Sequence, residues 1–196
     1  MNRSATVERK TKETDIRIEL DLDHSEMSQI DTGIPFMDHM LSLMGAHGFM
    51  GLRVAAKGDT EIDDHHTVED LGICLGEAIR QALGDKKGIK RYGQATVPMD
   101  ESLARVVVDI SNRAYLAYRV VLNDPKTGTF DVRLVREFLR ALVSSAGITL
   151  HVDLYAGEDP HHAAEAIFKA LGRALDEAVQ PEERSRGSVP STKGVL

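Results

Sequence analysis

The sequence predicts an α+β fold of two duplicated half-domains, each a mainly antiparallel sheet with two helices. Three observations predict it. The pentapeptide His-His-x-x-Glu occurs twice, as His65-His66-Thr67-Val68-Glu69 and His161-His162-Ala163-Ala164-Glu165. The residues around the two copies also match: Leu41, Leu52 and Val54 recur as Leu139, Leu150 and Val152, 98 residues on, and Leu75, Gly76 and Ala78 recur as Leu171, Gly172 and Ala174, 96 residues on. A two-residue loop deletion reconciles the offsets. Finally, in both halves alternating apolar runs give way to apolar residues at helical spacing, the signature of strands followed by helices. No low-complexity stretch separates the halves, so the chain reads as one duplicated domain with half-domains at about 1–90 and 91–180 and a tail at 181–196.

Each element follows from local chemistry. Residues 6–11 and 15–21 alternate like a hairpin, with Ile16, Ile18 and Leu20 on one face of the second strand. Gly33 and Pro35 punctuate the entry to a short helix at 36–44, residues 49–56 form a strand, and Gly58-Asp59 turns the chain. Asp63 or Asp64 then caps a helix carrying Val68, Leu71, Leu75, Ala78, Ile79 and Ala82 on one face, with Gly84 near its end. The second half repeats this order, with strands at 94–99, 103–110 and 115–122 and a helix at 131–146 capped by Asp131. A strand at 148–155 follows, and Asp159-Pro160 opens the last helix, whose Ile167, Phe168, Leu171 and Leu175 face inward. Residues 181–196 lack periodicity; Gly187, Ser188, Pro190, Ser191 and Gly194 suit an arm that stays disordered until something anchors it.

Composition narrows the function. The 196 residues carry a net charge of −7, which argues against nonspecific nucleic-acid binding as the main task. No apolar run is long enough to span a membrane, and residues 1–13 lack the apolar core of a signal peptide, so a soluble cytoplasmic protein is expected. The single Cys74 falls in the apolar run 71–75 and reads as a buried, inert thiol.

The repeated motif carries the chemistry. On a helix, the first His and the Glu four residues later share one face, while the middle His points elsewhere, so each motif can serve two sites. The repeat also sets His39 opposite Glu137, which makes eight potential ligands: His39, His65, His66, Glu69, Glu137, His161, His162 and Glu165. Imidazole and carboxylate without thiolate suit manganese, iron, cobalt, nickel or zinc in a mixed N/O shell. Two metals with four protein ligands each is the simplest division. Geometry then groups His65, Glu69, His162 and Glu137 on one side, and His161, Glu165, His66 and His39 on the other. Because a helix cannot bring both faces to one point, some ligands are expected from different subunits.

These motifs resemble those of the imidazoleglycerol-phosphate dehydratase family of histidine-biosynthesis enzymes. The resemblance covers nearly the whole chain: Arg9-Lys10-Thr11-Lys12-Glu13-Thr14, Phe36-Met37-Asp38-His39-Met40-Leu41, Asp63 to Asp70, Asp159 to Ala166, and Pro190-Ser191-Thr192-Lys193-Gly194. It implies a monofunctional metal-dependent dehydratase of imidazole glycerol phosphate, with two manganese ions per active site. It also implies a duplicated fold like the second domain of ribosomal protein S5 and a 24-subunit shell built from trimers, with no nucleic-acid or membrane partner. By the same resemblance Glu13 is the candidate acid/base, acting with His65, Glu69, His161 and Glu165, and Arg91, Arg113, Lys169, Ser191 and Lys193 are the phosphate contacts. Glu137 departs from the pattern, since some family members carry His there.

Overall fold

Two four-stranded sheets of identical plan, each covered by one long helix, make up the body of the protein. The structure is a computed structural model that describes residues 3–185 and 187–194. The first half contains β1 (Ser4–Lys10), β2 (Thr14–Asp21), β3 (Ser28–Asp31), α1 (Pro35–His47), β4 (Gly51–Gly58) and α2 (His65–Leu83). The second contains β5 (Tyr92–Met99), β6 (Ser102–Asp109), β7 (Tyr115–Arg119), a small hairpin of β8 (Lys126–Thr127) and β9 (Phe130–Asp131), α3 (Leu134–Ala146), β10 (Thr149–Ala156) and α4 (Pro160–Val179). Strand orders are β1-β2-β4-β3 and β5-β6-β10-β7. In each sheet the last edge strand is parallel to its neighbour and the other pairings are antiparallel. A parallel pair needs a crossover, and α1 and α3 supply it.

The sheets obey the period of two. Ile16, Ile18 and Leu20 on β2 and Ala104, Val106 and Val108 on β6 are buried, and the residues between them are more exposed. Helix α2 covers the first sheet and α4 the second, while the crossover helices pack on the opposite half: α1 against α4, and α3 against α2. Both pairs close on glycine. A Cβ at Gly76 would lie 2.5 Å from the Leu142 carbonyl oxygen, and one at Gly172 would lie 2.4 Å from that of Met44. These two residues are equivalent in the repeat, and only a missing side chain allows the helices to approach so closely. The halves are thereby interlocked, and residues from different halves meet at both helix pairs.

Three local expectations need correction. Strand β3 was not expected, because its Ser-Gln-Ile-Asp sequence has one partly buried apolar residue and sits on a sheet edge, where no alternation is demanded. Helix α3 begins at Leu134 rather than Asp131. Residues 126–131 fold instead as a hairpin around Gly128 at φ 58°, and the Asp131 carboxylate accepts from the Arg133 amide at 3.0 Å. The tail is anchored by the body of the same chain: Pro181 bridges to Ile89, the Gly88 amide donates to the Ser188 carbonyl at 3.0 Å, and Glu183–Ser185 form a 3₁₀ turn. Among the described residues no helix is long and apolar enough to cross a membrane.

Candidate metal centre and anion cavity

Because α1 packs on α4, His39 from the first half meets the second His-His-x-x-Glu motif. The Asp159 carboxylate caps α4 by accepting from the His161 amide at 2.8 Å, whereas the N-cap of α2 is Asp64, with no side-chain cap bond, and the preceding Asp63 accepts from the His65 amide at 2.8 Å. His161 and Glu165 are four apart and face His39. The Glu165 Oε1 atom lies 2.8 Å from His39 Nε2 and 3.1 Å from His161 Nε2, and its Oε2 accepts from Lys169 Nζ at 2.7 Å. Among the described residues these three form the group whose ligand atoms all lie within 4.8 Å of one another. Burial pushes the Glu165 carboxyl up, but Lys169 and both imidazoles outweigh it and hold the carboxyl at about 2. A carboxylate fixed in its charged form beside two imidazoles is a donor set for a divalent cation. Phe36 stacks edge-on against His161 at 5.4 Å and beside Phe130 at 4.7 Å, walling a cavity of about 630 Å³ that His39 and His161 line.

The equivalent residues in the first motif are arranged differently. Glu137 on α3 does approach Glu69 on α2, but Arg140 stands between them, donating to Glu69 Oε1 at 3.0 Å and to Glu137 Oε2 at 2.8 Å. His65 and Glu137 line a second cavity, of about 920 Å³, together with Tyr118 and Arg136. The middle histidines turn away, as the helical spacing requires. His66 Nδ1 lies 3.0 Å from Asp59 Oδ2 and His162 Nδ1 lies 2.8 Å from Glu101 Oε2, and these contacts raise the pKa of both imidazoles. Within one chain, therefore, His66 does not join His39, His161 and Glu165, and His162 does not join His65, Glu69 and Glu137. Glu13 sits in the β1–β2 turn, where its carbonyl accepts from the Asp59 amide at 3.1 Å, so the turn adjoins the segment whose Asp59 carboxylate contacts His66 at the start of α2.

Four of the five candidate phosphate contacts do gather. Arg91, Arg113, Ser191 and Lys193 line a cavity of about 600 Å³ with Tyr92 and Pro190. Arg91 is 8% exposed; its Nε and Nη2 donate to the two oxygens of Asp109 at 2.7 and 3.2 Å, and its Nη1 donates to the Pro190 carbonyl at 2.6 Å. Arg113 reaches the same carboxylate at 3.5 Å from an exposed position. Two guanidiniums thus share one Asp, and Lys193 adds a third cation to the lining, which leaves the cavity an excess of positive charge. The fifth candidate, Lys169, lies with Glu165 instead, and its ammonium also contacts the Met99 sulfur at 3.1 Å.

The two groups stand at opposite ends of α4. His161 occupies its first turn, and the Arg91 amide donates to the carbonyl of Ala178 in its last. At 1.5 Å per residue the helix separates them by about 25 Å.

Sequence reasoning missed several partners. Asp59 falls in an expected turn, Asp109 within an expected strand and Arg140 within an expected helix, and neither these three nor Glu101 stands out as a site residue in the sequence. The duplication gave no signal for the partners of the middle histidines, since Asp59 follows β4 whereas Glu101 sits in the β5–β6 turn, and these positions are not equivalent in the repeat. The remaining histidines have separate contacts: His24 pairs with Asp21, His151 lies beside Arg119 and Tyr115, and His47 is depressed by burial and by Lys169 and Arg173. Burial raises the Cys74 thiol to about 11, which leaves it protonated and unreactive.

Comparison with known proteins agrees over the full length. The family model for imidazoleglycerol-phosphate dehydratase matches residues 32–175. Imidazoleglycerol-phosphate dehydratases from Geobacillus sp. (strain WCH70) and Geobacter sulfurreducens are 57% and 56% identical over 196 residues, covering 100% of each chain. The crystal structure of the Staphylococcus aureus enzyme is 44% identical with a TM-score of 0.83, covering 91% of this chain and 99% of its own. That of the Pyrococcus furiosus protein is 40% identical with a TM-score of 0.85, covering 97% of this chain and 100% of its own.

Proposed function

The chain belongs to the imidazoleglycerol-phosphate dehydratase family, hydro-lyases of histidine biosynthesis, and from that premise we propose the reaction and the site that performs it. The substrate is D-erythro-imidazole glycerol phosphate, and the products are imidazole acetol phosphate and water. Each active site uses two manganese ions and is completed by residues of neighbouring copies, in the 24-subunit shell of trimers that the family resemblance implies.

The observation that carries this reading is the separation of the two residue groups. In the substrate, three carbons and an oxygen lie between the imidazole ring and phosphorus, a span of roughly 8 Å at ordinary bond lengths. A molecule of that size cannot touch His161 and Arg91 of the same chain across about 25 Å of helix. Ring recognition at one end of α4 and phosphate recognition at the other are compatible only if different copies supply them. The outward-turned His66 and His162 fit the same scheme, each being available to a metal that another copy holds.

The residues present fit manganese. His39, His161 and Glu165 offer two imidazole nitrogens and a carboxylate oxygen, already clustered. Glu69 and His65 offer the matching pair on α2, with Glu137 across from them on α3 and Arg140 bonded to both carboxylates. When bound, the ions supply Lewis acidity and a template for the substrate's ring.

The chain's own residues do the rest. Arg91, preset by Asp109 and the Pro190 carbonyl, presents a planar cation to the phosphate, with Arg113, Lys193 and the Ser191 hydroxyl around it. The tail, held against residues 88–91, closes over that end and excludes water. Elimination removes the hydroxyl from the carbon beside the ring and a proton from the next carbon. The resulting enol becomes the ketone by gaining a proton at the ring-side carbon. Glu13 is the acid/base for these transfers, positioned by the Asp59 contact beside His66. The test is to incubate the manganese-loaded protein with imidazole glycerol phosphate and follow the enolisable ketone. A fully metal-loaded protein that forms none would overturn the proposal.

A further inference from the structure

We propose that Lys86 is a positioning residue for the anion cavity: from inside the fold it holds the turn that carries Arg113, on the loop that also supplies Arg91 and anchors the Ser191–Lys193 tail. This rests on the reading of that cavity as the substrate's phosphate site.

The loop between α2 and β5 contains a residue that looks out of place. Asp85 and Lys87 are exposed, whereas Lys86 between them is 5% exposed, with its backbone at φ 58°. Both features are costly. Left-handed backbone is disfavoured for a side chain such as lysine, and a desolvated ammonium needs a compensating acceptor. Burial accordingly depresses its pKa, with Arg80 adding to the effect. The acceptor is Asn112 Oδ1, at 2.8 Å. Asn112 is itself left-handed at φ 57° and immediately precedes Arg113. Strain and desolvation concentrated on one contact indicate that the contact has a use beyond stability.

That use follows from what else the loop holds. The Arg91 carbonyl accepts from Ile110 at 3.0 Å, fixing the start of the same 110–113 turn. Gly88 donates to Ser188 and accepts from Glu182, and Lys90 donates to the Gln180 carbonyl, so the tail runs along the loop before reaching the cavity. Arg91 completes the set with its bond to Pro190. Residues 86–91 therefore supply Arg91, hold the turn before Arg113 and bind the tail ahead of Lys193, yet Lys86 itself does not line the cavity. It acts through Asn112, by limiting where Arg113 can stand.

The experiment is a double-mutant cycle on the full chain, titrated with inorganic phosphate by calorimetry and assayed for turnover. Lys86→Met keeps the length and removes the charge; Asn112→Gly removes the acceptor and tolerates the positive φ. Each should weaken phosphate binding and raise KM about tenfold, the loss expected for one hydrogen bond to a charged group, while kcat stays within about twofold. The double variant should be no worse than either single, because both break one link. Additive losses, or phosphate binding as tight as in the parent, would overturn the role of Lys86. Should Lys86→Met fail to fold, Lys86→Gln takes its place in the cycle. A parent that binds no phosphate, or binds it undiminished after Arg91→Ala, would overturn the phosphate reading and this inference together.

Discussion

Replacing Lys169 with methionine isolates what the metal does to the clustered site. Without metal, the Lys169 ammonium donates to Glu165 Oε2 at 2.7 Å, and the two side chains are 14% and 10% exposed. Removing it takes one charged hydrogen bond from a carboxylate still contacted by His39 and His161. The loss is therefore nearer the roughly 2 kcal/mol of a single charged bond than the 3–5 kcal/mol of a fully stranded buried ion. For a chain of this size that lowers Tm by about 6 °C. With manganese bound, the cation replaces the ammonium as the carboxylate's partner, and the penalty shrinks. A thermodynamic cycle then requires Lys169→Met to bind manganese more tightly, by up to about thirtyfold if the whole penalty is recovered. Thermal melts with and without manganese, together with metal titration calorimetry, measure all legs of the cycle. An equal loss of Tm in both states, with unchanged metal affinity, would refute the reasoning.

Other consequences can be checked independently. Gly172→Ala places a methyl 2.4 Å from the Met44 carbonyl, which should cost about 1–3 kcal/mol of overpacking and separate His39 from α4; denaturant unfolding and metal affinity should both register it. Glu13→Gln should lower kcat by about 10²–10⁴-fold with metal content intact, and near-normal turnover would remove Glu13 from the mechanism. Arg119 holds the Asp153 carboxyl below its usual 3.8 in the folded chain, so this contact adds stability above that value and loses it as pH falls through the lower folded value. Melts of the metal-free protein on acidification should show Asp153→Asn converging on the parent at the lowest pH.

The features legible in the sequence were those with a period or a repeat. Strands β2 and β6 alternate because each buries one face, and the two long helices advertise themselves by caps and by apolar residues at helical spacing. The His39–His161–Glu165 cluster was legible for the same reason, since duplication ties α1 to α4. What escaped depends on contacts between distant segments. A four-residue edge strand has no alternation to display, and the tail's docking depends on backbone groups of Gly88 and Lys90, which no side chain announces. Glu137 shows the limit of symmetry: the repeat brought it to α2 as expected, but Arg140 and the cluster's Lys169 answer their carboxylates from different places in the two halves.

The central claim is that the metal-binding end of one copy works with the phosphate-binding end of another. The most direct measurement is complementation between two inactive variants, Glu165→Gln and Arg91→Ala, assembled as a 1:1 mixture and assayed in parallel with each alone. Each variant alone should be inactive. If a site draws its two ends independently from two copies, mixing should restore roughly a quarter of parental activity, because that fraction of sites receives both intact contributions. Mixed assemblies of demonstrated composition that remain as inactive as their parents would contradict the account.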